Sequence, residues 1–430
     1  MKWIHGFLFS LICASSFAET TSSIDEYFRE LALINQFNGV LLVKDADGVI
    51  LYKAYHGVDL PKWGQIEERS LFHIASVRKL FTQYLVYQGS NNSQLATRPI
   101  VQWVKMHGLN PKWTLEMLLQ HQSGLPRGEQ FDFDQIRYDE AQLKQLIVRQ
   151  QLLHEPGAEY HYSNFGYLMA DIALAELYKK PAIEVYRDKV YQPLGMSATL
   201  NAKEAKSHPL RAKGIYQKEE KWIEAEFSEF ERFPSGDVFS TASDMMKFLE
   251  QIDPAAFSKD GVIEHAGAKR GYRSFVYRNQ TGKSVVMLSN LASVPITQVI
   301  QDLKQMLAGN RVSIPRLVQR KSIAFQTDIA MQLIGEYRLK VNGQVFKLTC
   351  DKEGLILVDI SKPGSPKSNS PKPERLFFES RDILYSDPTA MDYLKIKWEG
   401  NIAVSFSIFA MGGAEFATER LSIEEGVSCE

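Results

Sequence analysis

Residues 73–82 read HIASVRKLFT and contain the only Ser-x-x-Lys in the chain, formed by Ser76 and Lys79. Apolar residues lie on both sides of this pair, at positions 74–75 and 80–81. A helix that begins near Ser76 puts the Lys79 amine on the same face as the Ser76 hydroxyl, one turn away. The pattern has three interpretations: a buried ion-binding accident, a surface lysine, or a serine nucleophile with its base.

A serine nucleophile of this kind requires a helix start and a neutral lysine. At a helix start the Ser76 backbone N–H has no helical partner, and the helix dipole favours negative charge there. Lys79 can accept a proton only when neutral, and lowering its pKa from about 10.4 to about 7–8 requires roughly 3–5 kcal/mol of destabilised charge. Apolar, desolvated surroundings can supply that energy. Because Ser-x-x-Lys alone recurs by chance, other motifs must decide.

Two further motifs follow the first along the chain. Tyr-Ser-Asn at 162–164 comes just after a Pro-Gly turn at 156–157, where a helix is predicted to begin. His-Ala-Gly at 265–267 lies on a predicted strand. In this order the three motifs resemble those of the serine β-lactamase and penicillin-binding-protein superfamily. The class C β-lactamase-related branch is the most similar, because it has Tyr-x-Asn second and a Lys or His form of the third motif.

The resemblance extends beyond these motifs and covers roughly residues 35–305. Three more segments are similar to segments of the family: LLQHQSGLP at 118–126, QPLGM at 192–196 and SGDVFSTASDMMKFL at 235–249. The resemblance implies a role for each matching residue. Ser76 would be the acylated nucleophile.

Lys79 and Tyr162 would share the proton transfers, and Tyr162 would be the partner that transfers a proton to the leaving group. Asn164 would hold Lys79 in place and hydrogen-bond the substrate amide. These roles are implied by the family resemblance and not by spacing alone.

The strand motif would complete the substrate site, which His265 would line. The N–H groups of Ser76 and Ala268 would form an oxyanion hole, in which each donor is worth about 3–4 kcal/mol. Gly267 would let the substrate backbone approach the strand.

The third motif departs from the β-lactamase pattern. Lys-Thr-Gly is absent, and His265 and Ala266 stand in place of the lysine and the hydroxyl residue. A neutral imidazole attracts a substrate carboxylate less than an ammonium does, so an efficient β-lactamase is not expected. Lys269 and Arg270 follow directly, and they would either recognise a carboxylate or form a solvated strand end.

Several of these residues also have a structural interpretation. Tyr162 could be a buried tyrosine with a bonded hydroxyl, and Asn164 could be a helix N-cap. A second Tyr-x-Asn at 277–279 falls in a predicted hairpin turn and shows how unspecific the pattern is alone. We expect His121 to be structural, near a helix end, and Arg78 to be a surface residue. The order of the three motifs favours catalysis for Tyr162 and Asn164.

Length and composition limit the function classes. The chain has 430 residues, which favours two domains, and 44% hydrophobic residues, enough for a sizeable core. Its 50 Lys and Arg balance 51 Asp and Glu, so no net charge attracts nucleic acid or an anionic membrane. It has no Gly-x-Ser-x-Gly, no His-Glu-x-x-His and no metal-ligand spacing. We therefore expect neither a metal nor an organic cofactor.

Residues 1–18 have the features of a signal peptide rather than of a buried N-terminal helix. Lys2 precedes a short apolar run at 6–14, and Ser16 and Ala18 are small enough for cleavage after Ala18. No later run approaches 18 apolar residues, so no stable membrane insertion is expected. We therefore expect an exported protein, periplasmic or secreted.

Two cysteines, Cys350 and Cys429, remain after this cleavage. Cysteines in an oxidising compartment often pair. Two unpaired buried thiols are the alternative. We expect a disulfide within the C-terminal domain.

Hydrophobic periodicity predicts an α+β fold followed by an all-β domain. Strands near 39–58 and 262–290 enclose a region of predicted helices, which favours an antiparallel sheet flanked by helices plus a helical cluster, a β-lactamase/transpeptidase-like fold. Six strand-like runs near the C-terminus favour a barrel or sandwich. The predicted organisation is a signal peptide (1–18), a hydrolase domain (19–308), a linker (309–328) and an antiparallel β domain (329–430).

These features predict an exported serine hydrolase that acts through an acyl-enzyme on an ester, a small amide or a D-amino-acid peptide, with at most weak β-lactamase activity. The expected partner is a small-molecule or peptide substrate, including cell-wall peptide, and not nucleic acid. The alternative is a penicillin- or cell-wall-binding protein with little turnover, whose function is carried by the C-terminal β domain. The sequence does not indicate an oligomeric state.

Overall fold

The structure is a computed structural model, and it describes residues 21, 23–60, 65–88, 94–128, 139–218, 221–227, 237–258, 260–269, 271–341, 343–361, 373–422 and 429. The predicted signal peptide at 1–18 and Arg270 lie outside these residues. The described residues form two compact units, of which the first contains those up to 293 together with 305–314 and the second contains the rest. The domain boundaries predicted from the sequence stay predictions.

Helices lie between two groups of strands in the first three quarters of the chain. In chain order the elements are α1 (23–33), β1 (Gly39–Lys44), β2 (Val49–Tyr55), β3 (Phe72–His73), a 3₁₀ turn (Ala75–Arg78), α2 (Lys79–Tyr87), a 3₁₀ turn (Ile100–Gln102), α3 (Leu115–Leu119), α4 (Glu140–Val148), α5 (Asn164–Tyr178), α6 (Ala182–Tyr186), a π turn (Arg187–Tyr191), β4 (Leu200–Asn201), α7 (Ala202–Ala205), β5 (Ile215–Lys218), β6 (Lys221–Glu224), β7 (Val238–Ser240), α8 (Ala242–Gln251), α9 (Pro254–Phe257), β8 (Val262–Lys269), β9 (Tyr272–Asn279), β10 (Ser284–Ser289) and α10 (Ile296–Leu307).

The main sheet has five antiparallel strands in the order β2-β1-β10-β9-β8. β1 pairs with β10, with Gly39 opposite Ser289, so strands from far apart in the sequence meet at its centre. β9 and β10 form the hairpin predicted around 279–282, with Ser284 opposite Arg278. Two smaller sheets, β3-β7-β4 and β5-β6, lie in the same unit. This arrangement confirms the predicted α+β fold with an antiparallel sheet.

The two central strands are mostly apolar because both of their faces are covered. β1 reads GVLLVK and β10 reads SVVMLS. Every residue of the two strands is buried except Lys44, the last residue of β1. β8 is different, because it lies at the sheet edge and includes exposed residues along its length. An edge strand has backbone groups without a sheet partner. The third sequence motif therefore lies where another chain segment can approach.

The helix that carries the second motif is the most buried one in this unit. Residues 165–175 of α5 are all buried. Its N-cap is Ser163, whose Oγ accepts a hydrogen bond from the Gly166 N–H at 3.2 Å. Asn164 is therefore the first helical residue, and its interpretation as the N-cap is wrong.

Arg78 is buried, contrary to the surface position predicted for it. Only 5% of the residue is exposed. Its Nη1 donates to Asp171 Oδ2 on α5 at 3.0 Å, and the other oxygen of Asp171 accepts from Thr82 and Tyr186. A buried guanidinium needs such a partner, because an unpaired charge in the interior is very costly. The pair joins the segment that contains Ser76 to the helix of the second motif.

The described strands between residues 335 and 420 form a closed antiparallel barrel of eight strands. Its elements are α11 (Thr327–Leu333), β11 (Gly335–Leu339), β12 (Val345–Asp351), β13 (Gly354–Asp359), β14 (Glu374–Phe378), β15 (Ile383–Tyr385), β16 (Tyr393–Glu399), β17 (Ile402–Ala410) and β18 (Ala414–Arg420). The predicted barrel-or-sandwich is thus a barrel. Leu348, Leu355, Leu376, Phe378 and Phe406 belong to its core. Closure leaves no free sheet edge there.

A disulfide joins Cys350 on β12 to Cys429, with a Cα–Cα distance of 5.0 Å. The predicted pairing is therefore present in the structure. The bond closes a loop across 79 positions of the sequence. A crosslink over such a length restricts the unfolded chain, which stabilises the fold.

Reduction of this disulfide is expected to lower the free energy of unfolding by up to about 4 kcal/mol, because the unfolded chain regains the entropy of a long loop. Thiol titration of the unfolded, unreduced mature protein should detect no free thiol. The control is the same titration after reduction, which should detect two. Two free thiols before reduction would contradict the bond.

Among the described residues, no helix has the length and apolar character to cross a bilayer.

Candidate active site

Ser76 lies in the 3₁₀ turn that leads into α2, so the helix start predicted near it is correct in position and tighter in geometry. The first bond of this turn runs from the Val77 N–H to the Ile74 carbonyl at 3.1 Å. The Ser76 N–H therefore comes before the first helical hydrogen bond. Ala75 has a φ of 48°, a left-handed conformation that is costly for a residue with a Cβ. The turn presents Ser76 on a strained backbone.

Four polar side chains from two places in the sequence, 76–79 and 162–164, meet at one point. Lys79 Nζ donates to Ser76 Oγ at 2.9 Å, to Tyr162 OH at 2.6 Å and to Asn164 Oδ1 at 3.0 Å. Ser76 Oγ and Tyr162 OH are 3.2 Å apart. These contacts use the three donors of an ammonium. When Lys79 loses a proton, its lone pair can accept one from the serine or the tyrosine.

The pKa of Lys79 is well below its ordinary value. Burial is the main cause, because only 2% of this residue is exposed and the charged form loses its hydration. The nearby cations of Arg78 and Arg127 lower the pKa further, whereas the carboxylate of Asp171 raises it. Lys79 therefore has the property that a general base requires.

Tyr162 is held in place by its ring as well as by its hydroxyl. The His121 ring lies against it, with 4.4 Å between centroids. Lys79 Nζ is 4.9 Å from the centroid of the Tyr162 ring, and the Arg127 guanidinium is 5.0 Å from it. Cations are attracted by the electron-rich face of an aromatic ring. Arg127 is a residue of the site that the sequence interpretation missed, although it directly follows the LLQHQSGLP segment.

His121 supports the second motif, in agreement with the structural role expected for it. Its Nδ1 accepts a hydrogen bond from the Ser163 N–H at 3.0 Å. Burial, with smaller contributions from nearby cations, lowers its pKa to about 3. The imidazole is therefore neutral at neutral pH, so it does not add a positive charge to the site.

Gly267 is required by the chain's own packing. A Cβ at this position would lie 2.7 Å from the Ile74 carbonyl oxygen and 2.4 Å from Ser274 Oγ. Any side chain would therefore push β8 away from the 3₁₀ turn that contains Ser76. The sequence interpretation gave Gly267 only an approach to substrate. Ala268 follows it and is exposed, so a ligand can reach this part of the edge strand.

His265 is half-buried on β8 and is neutral at neutral pH. Burial, followed by the Lys79 charge, lowers its pKa to about 4. Its Nδ1 lies 3.0 Å from the Ala266 carbonyl oxygen, which can only accept, so Nδ1 carries the proton and Nε2 is an acceptor. His265 thus has no charge with which to attract a carboxylate.

A family model described as Beta-lactamase matches residues 24–260, more than half of the chain. This protein belongs to the β-lactamase family. The match spans the first two motifs, and the predicted superfamily is confirmed.

One curated protein and several solved structures are similar to this chain. Unguisins hydrolase of Aspergillus campestris is 30% identical over 147 residues, which are 30% of this chain and 27% of that protein. An octameric penicillin-binding protein homologue from Pyrococcus abyssi has a TM-score of 0.56 at 15% identity, covering 94% of this chain and 99% of its own. D-amino acid amidase from Ochrobactrum anthropi SV3 has a TM-score of 0.55 at 19% identity, covering 69% and 99%. At these identities the structures show the shared fold.

Lys269 is not at a solvated strand end, which was one of the two expectations for it. Its Nζ lies 2.7 Å from Asp237 Oδ2 and 3.3 Å from His73 Nε2. The sequence interpretation missed both neighbours, although His73 precedes Ser76 by only three residues. Arg270 lies outside the described residues, so its role stays a prediction.

Within the described part of the chain, no three His, Cys, Asp or Glu side chains are grouped as metal ligands.

Proposed function

We propose that this protein is an exported serine hydrolase that forms an acyl-enzyme on Ser76 with an ester, a small amide or a D-amino-acid peptide. One observation carries the proposal: buried Lys79, with its lowered pKa, hydrogen-bonds both Ser76 Oγ and Tyr162 OH. A base within about 2.6–3.2 Å of the proton it takes satisfies the geometric requirement for general base catalysis.

Acylation begins when neutral Lys79 takes the proton of Ser76 Oγ as that oxygen bonds to the substrate carbonyl carbon. The carbonyl oxygen becomes an oxyanion, which the N–H groups of Ser76 and Ala268 would stabilise. When the intermediate collapses, the bond to the leaving oxygen or nitrogen breaks. Tyr162 gives its proton to that atom and regains one from Lys79, 2.6 Å away. The net result is transfer of one proton from Ser76 to the leaving group.

Deacylation reverses the same route with water as the nucleophile. Tyr162 and Lys79 take a proton from the water as its oxygen bonds to the acyl carbon. The acyl–Oγ bond then breaks, and the proton returns to Ser76. Asn164 keeps Lys79 between the two hydroxyl groups throughout, because its Oδ1 accepts from Nζ at 3.0 Å.

The substrate class follows from the third motif. A neutral His265 and the apolar Ala266 provide neither the ammonium nor the hydroxyl that would bind the carboxylate of a β-lactam. We therefore propose weak β-lactamase activity at most. The D-amino acid amidase among the fold relatives makes D-amino acid amides a suitable test of the amide class.

A substrate panel tests this function. The panel comprises a chromogenic short ester, a D-amino acid p-nitroanilide, a D-Ala-D-Ala peptide and a chromogenic β-lactam. We expect turnover of the ester or the D-amino-acid compounds to exceed that of the β-lactam. The absence of turnover, together with a stable mass adduct on Ser76 after incubation with penicillin, would instead support the wall-binding alternative.

Activity is expected to rise with pH through an apparent pKa well below the ordinary lysine value of about 10.4. Below this apparent pKa the base is an ammonium and cannot accept a proton, and above it the base is an active amine. The measured value belongs to the coupled Lys79–Tyr162 pair. His121 and His265, with pKa values of about 3 and 4, do not titrate near neutrality.

The measurement is kcat/KM as a function of pH with an ester that does not itself titrate. Protein stability is followed over the same range, so that unfolding is not mistaken for titration. A rate that falls as pH rises toward neutrality would contradict a lysine base.

Export is supported by the N-terminal sequence and by the Cys350–Cys429 disulfide, since such bonds persist in oxidising compartments. The intact mass of the protein recovered from its native compartment tests the proposal. A mature chain that begins near Glu19 is expected, and an uncleaved chain in the cytoplasm would contradict it.

A further inference from the structure

A cluster of three polar residues lies beside the 3₁₀ turn Ala75–Arg78, which contains Ser76 and which we call the nucleophile turn. No step of the proposed mechanism uses this cluster. His73 is at the end of β3, Asp237 precedes β7, and Lys269 is the last residue of β8. His73 Nε2 lies 3.2 Å from Asp237 Oδ1, and Lys269 Nζ lies 2.7 Å from Asp237 Oδ2. His73 and Asp237 are buried. We call these three residues the nucleophile clamp.

The tautomer of His73 follows from its contacts. Its Nδ1 is 2.9 Å from the Ala75 N–H, and a backbone N–H can only donate. Nδ1 is therefore the acceptor, and neutral His73 carries its proton on Nε2, which faces Asp237. Asp237 thereby favours the tautomer in which Nδ1 is unprotonated and accepts the hydrogen bond from the Ala75 N–H. Carboxylates commonly orient histidine rings in this way.

The clamp reaches the chain on both sides of the predicted oxyanion hole. His73 bonds Ala75, the residue directly before Ser76, and Lys269 directly follows Ala268. We propose that the nucleophile clamp positions the two oxyanion-hole N–H groups: His73 holds the Ser76 side through Ala75, and Lys269, bound to Asp237, holds the Ala268 side. This inference rests on the proposed function, because it assigns a purpose to the distance between these two N–H groups.

The backbone conformation of Ala75 requires support from its surroundings, which the clamp provides. Ala75 has a φ of 48°, a left-handed conformation that is costly for a residue with a Cβ and must be held by its surroundings. Ile74 is fixed on both sides, since its N–H donates to the Val238 carbonyl at 3.0 Å and its carbonyl accepts from Ser274 Oγ at 2.7 Å. The bond to His73 holds the strained residue itself. Without that bond, Ala75 can relax and turn the Ser76 N–H away from its position.

Two substitutions separate positioning from simple packing. Asn in place of His73 keeps an acceptor at the δ1 position for Ala75 and loses the contact with Asp237. Gln keeps a donor toward Asp237 and loses the acceptor for Ala75. We expect His73→Gln to lower kcat by about 10–100-fold with little change in KM, because misplacement by about 1 Å costs about 10²-fold. We expect His73→Asn to retain most of the activity.

A transition-state analogue reports the oxyanion hole without turnover. Phenylboronic acid forms a tetrahedral adduct on a serine Oγ and places an oxygen where the oxyanion forms. Its affinity should fall in His73→Gln and be largely kept in His73→Asn. Lys269→Gln, which removes the ammonium that holds the β8 end, should also weaken boronate binding. Hydrogen exchange at the Ala75 amide should accelerate in His73→Gln, but not in His73→Asn or Lys269→Gln.

Three results would overturn the inference. Both His73 variants could keep the parent's activity, both could lose it to the same extent, or His73→Asn could lose more activity than His73→Gln. Thermal melting checks that each variant is folded. A wild-type protein that neither turns over any substrate nor binds the boronate would refute the proposed function instead. In that case exchange at the Ala75 amide still decides whether His73 holds the nucleophile turn.

Discussion

Ser76→Ala is expected to lower kcat by about 10⁴–10⁶-fold on every substrate that the parent cleaves, because no other group can form the acyl-enzyme. The remaining rate would come from substrate binding and the proposed oxyanion hole, as in serine proteases that lack their nucleophile. The fold should be kept, since the change removes one oxygen whose contacts are with Lys79 and Tyr162. The measurement is kcat on the best substrate of the panel, with thermal melting of both proteins.

A matched control for this variant is Ser207→Ala, which removes a hydroxyl from an exposed serine and should leave kcat unchanged. Mass spectrometry of the parent after rapid quenching should locate the acyl group on the peptide that contains Ser76. An alanine variant that retains the parent's kcat would show that Ser76 is not the nucleophile.

Lys79→Arg is expected to reduce kcat about as much as Lys79→Ala, although it keeps the positive charge. A guanidinium stays protonated in proteins and cannot become the neutral base. Arginine is also larger than the space at this buried position, where Nζ already has three partners within 3.0 Å. The measurement is kcat across the pH range, since a lost base should not be recovered at high pH.

The control for the charge-conserving change is Lys112→Arg, because Lys112 is exposed and paired with Glu155 at the surface. Tyr162→Phe gives a graded comparison and should lose about 10²–10⁴-fold in kcat, the usual size of a general acid–base contribution. A Lys79→Arg enzyme with nearly normal kcat would make the lysine-base mechanism untenable.

Local spacing in the sequence predicted the centre of the candidate site. Ser76 and Lys79 are three residues apart, so a single helical turn was enough to place the amine near the hydroxyl. The apolar neighbours of Lys79 predicted its burial, and the structure has it 2% exposed. Strands with a clear hydrophobic pattern, such as β1 and β10, likewise predicted the antiparallel sheet. In each case the physical information lies within about ten residues of chain.

The family resemblance brought Tyr162 and Asn164 into the prediction, which spacing could not. They lie more than 80 positions from Lys79, and no local rule relates residues that far apart. The structure places both within hydrogen-bond distance of Lys79 Nζ. It also separates the site motif from the other Tyr-x-Asn, since Asn279 is used to hold the β9–β10 turn through the backbone of Thr281 and Lys283.

By itself, then, the sequence determined the sheet-forming segments, the helical face shared by Ser76 and Lys79, and the all-β nature of the C-terminal region. Only the tertiary structure decided what long-range partners do. Arg78 is a core residue rather than a surface residue because Asp171, 93 positions away, compensates its charge. Lys269 is paired with Asp237, beside His73, rather than solvated. The barrel contains β15 and closes by the pairing of β11 with β18, and the sequence pattern indicated neither β15 nor β18. Ion pairs and strand pairings of this kind depend on distances in space, and residue order alone does not specify them.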